Sequence, residues 1–154
     1  MTKSYIVHSG AEVAAQAAEC AGEQGKYWYM SELLFTQQSA WSGQAGAADM
    51  FKQYAGELGL DQAPFDACLE SSKYDDRIAA DQKDGQAAKV TGTPTFLING
   101  SPMVGAQPYS AFQQQIEYYL AGGLPPRLIL AADDFRSRGK AEAPMVITEF
   151  SDFQ

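Results

Sequence analysis

Residues Gly92-Thr93-Pro94-Thr95-Phe96-Leu97, followed by Ile98-Asn99-Gly100, restrict the fold more than any other stretch of the chain. The β-branched and aromatic residues from Thr95 to Ile98 favour a strand. Pro94 cannot donate to a ladder, so it belongs at the strand entrance. Asn99-Gly100 then calls for a tight reversal, because both residues tolerate positive φ. Pro102-Met103-Val104 can return as an edge strand. Cis peptide bonds are almost confined to X-Pro. A cis Thr93–Pro94 bond would turn the chain and leave the Thr93 backbone facing outward, open to an extended peptide. An ordinary trans proline at a strand entrance is the alternative that the tripeptide alone allows.

Upstream of this run the pattern is helical. Ala11 to Ala21 is Ala-rich and carries the good helix formers Glu12, Gln16 and Glu19. Gly22 and Gly25 punctuate its end. Lys26 to Gln38 places Tyr27, Met30, Leu33 and Leu34 at helical spacing, with Trp28 and Phe35 at the edge of the stripe. Gly43 to Gly46 reads as a loop. Ala47 to Leu58 is amphipathic through Phe51, Tyr54, Ala55 and Leu58, and Gly59 ends it. Asp61 is expected to cap a short helix whose buried stripe is Phe65, Cys68 and Leu69. Tyr74 to Lys89 is helical in propensity, with a break or kink expected at Gly85. Downstream, Pro108 suits the first turn of a last helix that carries Phe112, Ile116, Tyr119 and Leu120 inward and ends at Gly122-Gly123. Met145 to Phe150 is strand-like and apolar on both faces, apart from Glu149.

The formal charge of −8 argues against nucleic acid or an anionic membrane surface as partner, since both reward Lys and Arg. No apolar run approaches the roughly 20 residues of a membrane helix. Met1-Thr2-Lys3-Ser4-Tyr5 has no signal-peptide core. The 154 residues suffice for one modest domain with a core of its own.

Val90 to Gly100, followed by Val104-Gly105-Ala106-Gln107-Pro108-Tyr109, resembles the second half of a DsbA-like thioredoxin domain. Ala17 to Trp28 resembles that family's helical insertion, as does Leu58-Gly59-Leu60-Asp61 with Phe65, Cys68 and Leu69. The resemblance covers most of residues 8 to 121, with its motifs in the family's order. It implies an α/β fold: a thioredoxin-like sheet with an inserted helical subdomain, its first strand and catalytic helix missing or supplied by the C-terminal strand. Residues 1–121 then form the C-terminal two thirds of such a domain. Within it, 10–89 are the helical insertion and 90–121 the cis-Pro hairpin and last helix.

The family's redox centre is a Cys-x-x-Cys at a helix start. This sequence has two cysteines, Cys20 and Cys68, and no such pair. Residues 145–154 look like the family's opening strand and its approach to the first catalytic cysteine, so the order is permuted. Two organisations fit. One is a piece spanning two tandem copies. The other is a permutant whose last strand completes its own sheet. Residues 122–144 favour the first: Gly122 to Pro126 reads as a linker, and Leu128-Ile129-Leu130 with Asp133-Asp134-Phe135 and Gly139 resembles the lead-in of a new copy.

By resemblance the chain is part of a thiol–disulfide oxidoreductase acting on protein disulfides outside the cytoplasm, redox-inactive as given. The alternative is a redox-silent module that binds extended peptides through its proline loop. Thr93 and Pro94 take the substrate-binding role, pairing backbone to backbone with unfolded or extended protein substrates. The resemblance also allows a membrane redox partner. Glu149 takes the place of an acidic residue that moves protons beneath the catalytic thiols, the alternative being an exposed glutamate at a strand edge. No cofactor is implied.

Cys20 and Cys68 sit on apolar helical faces. They read as small buried thiols or as a structural disulfide; neither shows the activated setting of a redox pair. One histidine and two distant cysteines make a poor zinc set, so His8 is expected to serve a cap or loop. Tyr27, Trp28, Tyr29 and Phe35 are expected in the core. Asp75-Asp76 and Asp133-Asp134 are expected to be solvated caps. Gly122-Gly123 lacks the setting of a phosphate loop.

Overall fold

The structure, a computed structural model, describes residues 1–8, 10–123, 136–140 and 142–153. The chain divides into two units, one of Met1–Tyr5 with Asp81–Ser151 and one of Ile6–Ala80 with Asp152–Gln154. The lead-in residues Leu128 to Leu130 and Asp133 to Phe135 lie outside the described residues.

The helical unit opens, after Gly10, with α1 (Ala11–Gly22), then α2 (Tyr27–Thr36), the short α3 (Gln38–Trp41), α4 (Ala47–Glu57) and α5 (Gln62–Glu70). Helix α1 is its axis, touching α2, α4 and α5. Its alanines explain why: Ala14, Ala15, Ala17 and Ala18 are wholly buried, and small side chains let neighbouring helices approach. Larger residues fill the remaining space. Trp41 stacks edge-on against Phe51 at 5.3 Å and donates its indole N–H to the Leu34 carbonyl at 2.8 Å, which satisfies the one polar atom of a buried ring.

Two expectations for this unit are corrected. Asp61 precedes α5 but makes no side-chain cap. Gln24 instead holds its backbone, donating to the Asp61 carbonyl and accepting from the Asp61 N–H. Tyr29 and Phe35 are exposed, at 58% and 45%, while Tyr27 is buried. The apolar stripe of α2 is wider than the surface its neighbours cover. Phe35 nonetheless stacks on Phe153 at 4.8 Å. Helix α3 was not foreseen, since four residues are too few to show a period.

Helix α6 (Asp75–Ala87) begins in the helical unit and ends in the sheet unit. It runs unbroken through Gly85, where a break was expected. A Cβ there would lie 2.4 Å from the Tyr5 ring and 3.3 Å from Phe150, so the glycine serves close approach to the sheet.

The sheet unit holds β1 (Thr2–Ser4), β2 (Thr95–Ile98), β3 (Ser101–Val104), α7 (Tyr109–Leu120) and β4 (Ile147–Ser151). Strand order is β1-β4-β2-β3. Strand β4 runs parallel to β1, with Thr2 opposite Glu149, and antiparallel to β2, with Phe96 opposite Glu149 and Thr95 opposite Phe150. The tail strand thus occupies an inner position. Asn99 and Gly100 turn β2 into β3 with φ of 46° and 82°, the positive values the dipeptide predicts. The Asn99 side chain also accepts from the Val146 N–H at 2.8 Å, while the Asn99 N–H donates to the Val146 carbonyl. One turn therefore also fixes where β4 begins.

The two sheet faces differ. Leu97 and Phe150 form a buried cluster with Val90, against which Tyr5 and Ala88 pack. On the other face Phe96 meets Phe112 of α7 edge-on at 5.0 Å. Helix α7 buries no residue fully, and Leu120, expected inward, is 63% exposed. Pro108 is the residue before the helix and not in its first turn.

Candidate functional site

The Thr93–Pro94 peptide bond is cis. Two hydrogen bonds fix the loop: Thr95 Oγ1 donates to the Gly92 carbonyl at 2.7 Å, and the Gly105 N–H donates to the Pro94 carbonyl at 2.7 Å. Thr95 is wholly buried, so the clamp is rigid. Thr93 is half-buried, and among the described residues no hydrogen bond occupies its backbone N–H or carbonyl. These are strong, obligatory hydrogen-bonding groups. They are partly open to solvent and lie at a strand entrance.

Glu149 sits in the same unit, on the strand beside β2. Its neighbours across the ladder are Thr2 and Phe96. It is neither the exposed edge residue nor fully buried. Burial pushes its carboxyl above the ordinary carboxylate range, and the Met1 ammonium works against that rise. A carboxyl that keeps its proton more readily than usual can donate as well as accept.

In the helical unit, Cys20 of α1 and Cys68 of α5 form a disulfide with S–S 2.01 Å and Cα–Cα 5.8 Å, inside the range such a bridge requires. It leaves no free cysteine among the described residues. In the same unit, His8 Nδ1 lies 2.8 Å from Asp152 Oδ2, which also accepts the Val7 and His8 N–H groups at 2.9 and 3.0 Å. His8 is therefore held by a buried carboxylate that ties the chain's tail to the segment before α1. Asp152 was not singled out from the sequence. Its three partners lie some 144 residues away, and local pattern carries no trace of them.

A second buried carboxylate was also missed. Asp81 on α6 takes Lys3 Nζ at 2.9 Å on one oxygen and, on the other, the Ser4 N–H at 3.0 Å and the Arg136 guanidinium. Lys3 also pairs with Asp84 at 2.9 Å. Burial works against the charged Lys3, yet hydrogen bonds to Asp81 and Asp84 outweigh it and raise the ammonium above its usual range. This network anchors the edge strand β1 to α6. Among the described residues no group of three or more His, Cys, Asp or Glu could hold a metal ion.

A family model described as thioredoxin matches residues 2–118. The chain belongs to the thioredoxin family. The match spans β1, helices α1 to α6, the cis-proline hairpin and nearly all of α7, so the thioredoxin-like α/β reading holds for most of the sequence. Curated relatives carry a different name. The thioredoxin-family chain is 38% identical over 116 residues to Na(+)/H(+) antiporter NhaA 1 of Salinispora arenicola strain CNS-205, covering 75% of this chain and 17% of that protein. It is 40% identical over 94 residues to Na(+)/H(+) antiporter NhaA 3 of Salinispora tropica, covering 61% and 14%. It is 33% identical over 99 residues to Na(+)/H(+) antiporter NhaA of Herminiimonas arsenicoxydans, covering 64% and 15%. The chain thus spans less than a fifth of the length of these relatives. No solved structure matches it.

Proposed function

We propose that this thioredoxin-family chain is the substrate-holding part of a DsbA-like thiol–disulfide oxidoreductase acting on protein disulfides. The observation that carries the proposal is Thr93, whose backbone N–H and carbonyl have no hydrogen-bond partner among the described residues at the entrance to β2. Backbone pairing with an extended peptide tolerates many side chains, which suits an enzyme of unfolded substrates. Glu149 supports the same reading, since a carboxyl with a raised pKa on the strand beside β2 fits a proton relay. The sequence holds no Cys-x-x-Cys, so the dithiol step is assigned outside these residues, and the chain alone is redox-inactive toward substrate.

Function outside the cytoplasm fits the Cys20–Cys68 bridge, because structural disulfides persist in oxidising compartments. Unfolded or extended proteins are the proposed partners, with a membrane redox protein as electron partner. Antiport, the activity in the relatives' names, is not assigned to this segment, which matches only 14–17% of the three. Among the described residues no helix is long and apolar enough to cross a membrane.

The test is a titration with an uncharged, fluorescently labelled unfolded peptide, read by anisotropy. Thr93→Arg places bulk and charge at the open backbone and is expected to weaken binding about tenfold, a loss on the scale of one charge-assisted or two ordinary hydrogen bonds. Equal affinity of the two proteins would remove Thr93 from the site. The absence of Cys-x-x-Cys in these residues favours a second reading, a peptide-binding module with no redox step. Both readings predict peptide binding. They separate when the protein isolated from its natural source is assayed for insulin reduction, which only the oxidoreductase performs.

A further inference from the structure

The Cys20–Cys68 disulfide has a charged neighbour. Glu23, one residue past α1, places Oε1 3.5 Å from Cys68 Sγ. A half-cystine sulfur carries no proton, so this contact is not a hydrogen bond; it sets a carboxylate oxygen against a disulfide. The carboxylate is held there from two sides, by Lys73 Nζ at 2.8 Å and by the Tyr74 hydroxyl at 2.9 Å. Lys73 and Tyr74 belong to the turn after α5, which folds back over the cysteine through a Lys73 N–H to Cys68 carbonyl bond of 3.5 Å and positive φ at Ser72. Burial raises the Glu23 carboxyl, but the bonds from Lys73 and Tyr74 outweigh it and hold it below the ordinary range. The group is an anion at neutral pH. Tyr74 is pushed well above the usual phenol range by burial and by Glu23, and so stays a donor. Both cysteines are buried, Cys68 at 6% residue exposure and Cys20 at 1%.

We propose that Glu23 is a charge gate on the Cys20–Cys68 disulfide, slowing its opening by anionic thiols and sparing cationic ones. Opening takes two steps. A thiolate bonds to Cys68 Sγ, the Cys20–Cys68 bond breaks, and its electron pair leaves on Cys20 Sγ, which takes a proton from water. A second thiolate then attacks the outer sulfur of the mixed disulfide and releases Cys68 as the thiolate. Two external thiols are oxidised to their disulfide, and the cystine is reduced by two electrons. Negative charge arrives beside Glu23 in the first step and is left beside it in the second, so the carboxylate opposes both. A thiol carrying its own anion is opposed further; one carrying an ammonium is attracted. Lys73 is 56% exposed, so water screens its ammonium more than it screens the carboxylate in contact with the sulfur, and removing Lys73 should strengthen the gate.

The test uses the oxidised full chain and three thiols of different charge: cysteamine, 2-mercaptoethanol and 2-mercaptoethanesulfonate. Rates are compared per thiolate at low ionic strength, by alkylating the freed cysteines and counting them by mass spectrometry. Wild type is expected to open about fivefold faster with cysteamine than with mercaptoethanesulfonate beyond the ratio for a small linear disulfide, as one charge at close range in a partly exposed site allows. Glu23→Gln should abolish that excess, Lys73→Gln should widen it, and 0.5 M salt should shrink it in wild type. An excess unchanged in Glu23→Gln would overturn the gate. So would an equal rise with all three thiols, which marks a loosened fold. A thermal melt of each oxidised variant accompanies the rates, and Lys73→Gln, whose effect has the opposite sign, keeps the proposal exposed if Glu23→Gln is unstable.

Discussion

A single carboxyl, Glu149, carries both a cost and a use. Its pKa lies above the ordinary carboxylate value because burial penalises the anion. The folded chain therefore holds this proton more tightly than the unfolded chain does. Below the usual carboxylate range both states are protonated and the group is neutral to stability. As pH rises from there through the folded value, the unfolded chain loses its proton first, and stability falls. Glu149→Gln cannot ionise and escapes that fall. Urea unfolding should find the variant more stable than wild type at pH 8, by on the order of 1 kcal/mol, with the gap closing by pH 3.5. A gap independent of pH would mean that the effect is packing and not ionisation. The awkwardness of Glu149 is legible in the sequence, where apolar neighbours flank it. Asp81 and Asp152 look like surface residues in sequence, because what makes them internal is Lys3, Arg136, Val7 and His8 arriving from elsewhere in the chain.

At the level of elements, Gly85 gives the clearest contrast between propensity and packing. A glycine inside a helix normally costs about 1 kcal/mol against alanine, so Gly85→Ala would be expected to stabilise α6. Its new methyl would instead lie 2.4 Å from the Tyr5 ring. That ring is fixed at both ends, by its hydroxyl on the Val90 carbonyl at 3.2 Å and by an edge-on contact with Phe150. Overpacking of this kind costs roughly 1–3 kcal/mol. Gly85→Ala should lower the unfolding midpoint, and a double variant with Tyr5→Leu should recover part of the loss; stabilisation by the single change would show that Tyr5 moves freely. The same contrast marks where sequence reading succeeds. Helix α1 follows from its alanine-rich propensity, α4 and α5 follow from apolar spacing, and β2 with its turn follows from β-branched residues and Asn99-Gly100, because these signals are local. Strand β1 is too short to show a pattern: Thr2 to Ser4 is a strand only because β4 lies beside it. The open flank of α7 was likewise invisible, since Leu120 has the residue type of a buried position and yet is 63% exposed among the described residues.

Taken as a whole, the sheet unit depends on its two most distant segments meeting. Strand β1 pairs with β4 at residues 2–4 and 149–151, and among the described strands it pairs with nothing else. Strand β4 also supplies Phe150, wholly buried, to the cluster with Leu97 and Val90. Without β4 the remaining ladder is the β2–β3 hairpin, and an isolated hairpin is marginal in water. Such non-local pairing makes the chain's last residues a condition for ordering its first. Thr148→Pro tests this in the full chain. Thr148 is buried and opposite Leu97, and proline inside an inner strand removes a ladder donor and clashes. Hydrogen exchange should show the β1 and β2 amides losing roughly 3 kcal/mol of protection or more, on the scale of a proline in a regular element. Amides of α1, held by its buried alanines and the Cys20–Cys68 bridge, provide the internal reference. If β2 stays as protected as in wild type, the hairpin and α7 suffice to order the sheet, and the inner place of β4 is dispensable. If β1 alone is released, β4 acts only as a clasp for the N-terminal strand. Joint loss from β1 and β2 is the outcome the register requires, because one strand bonds to both.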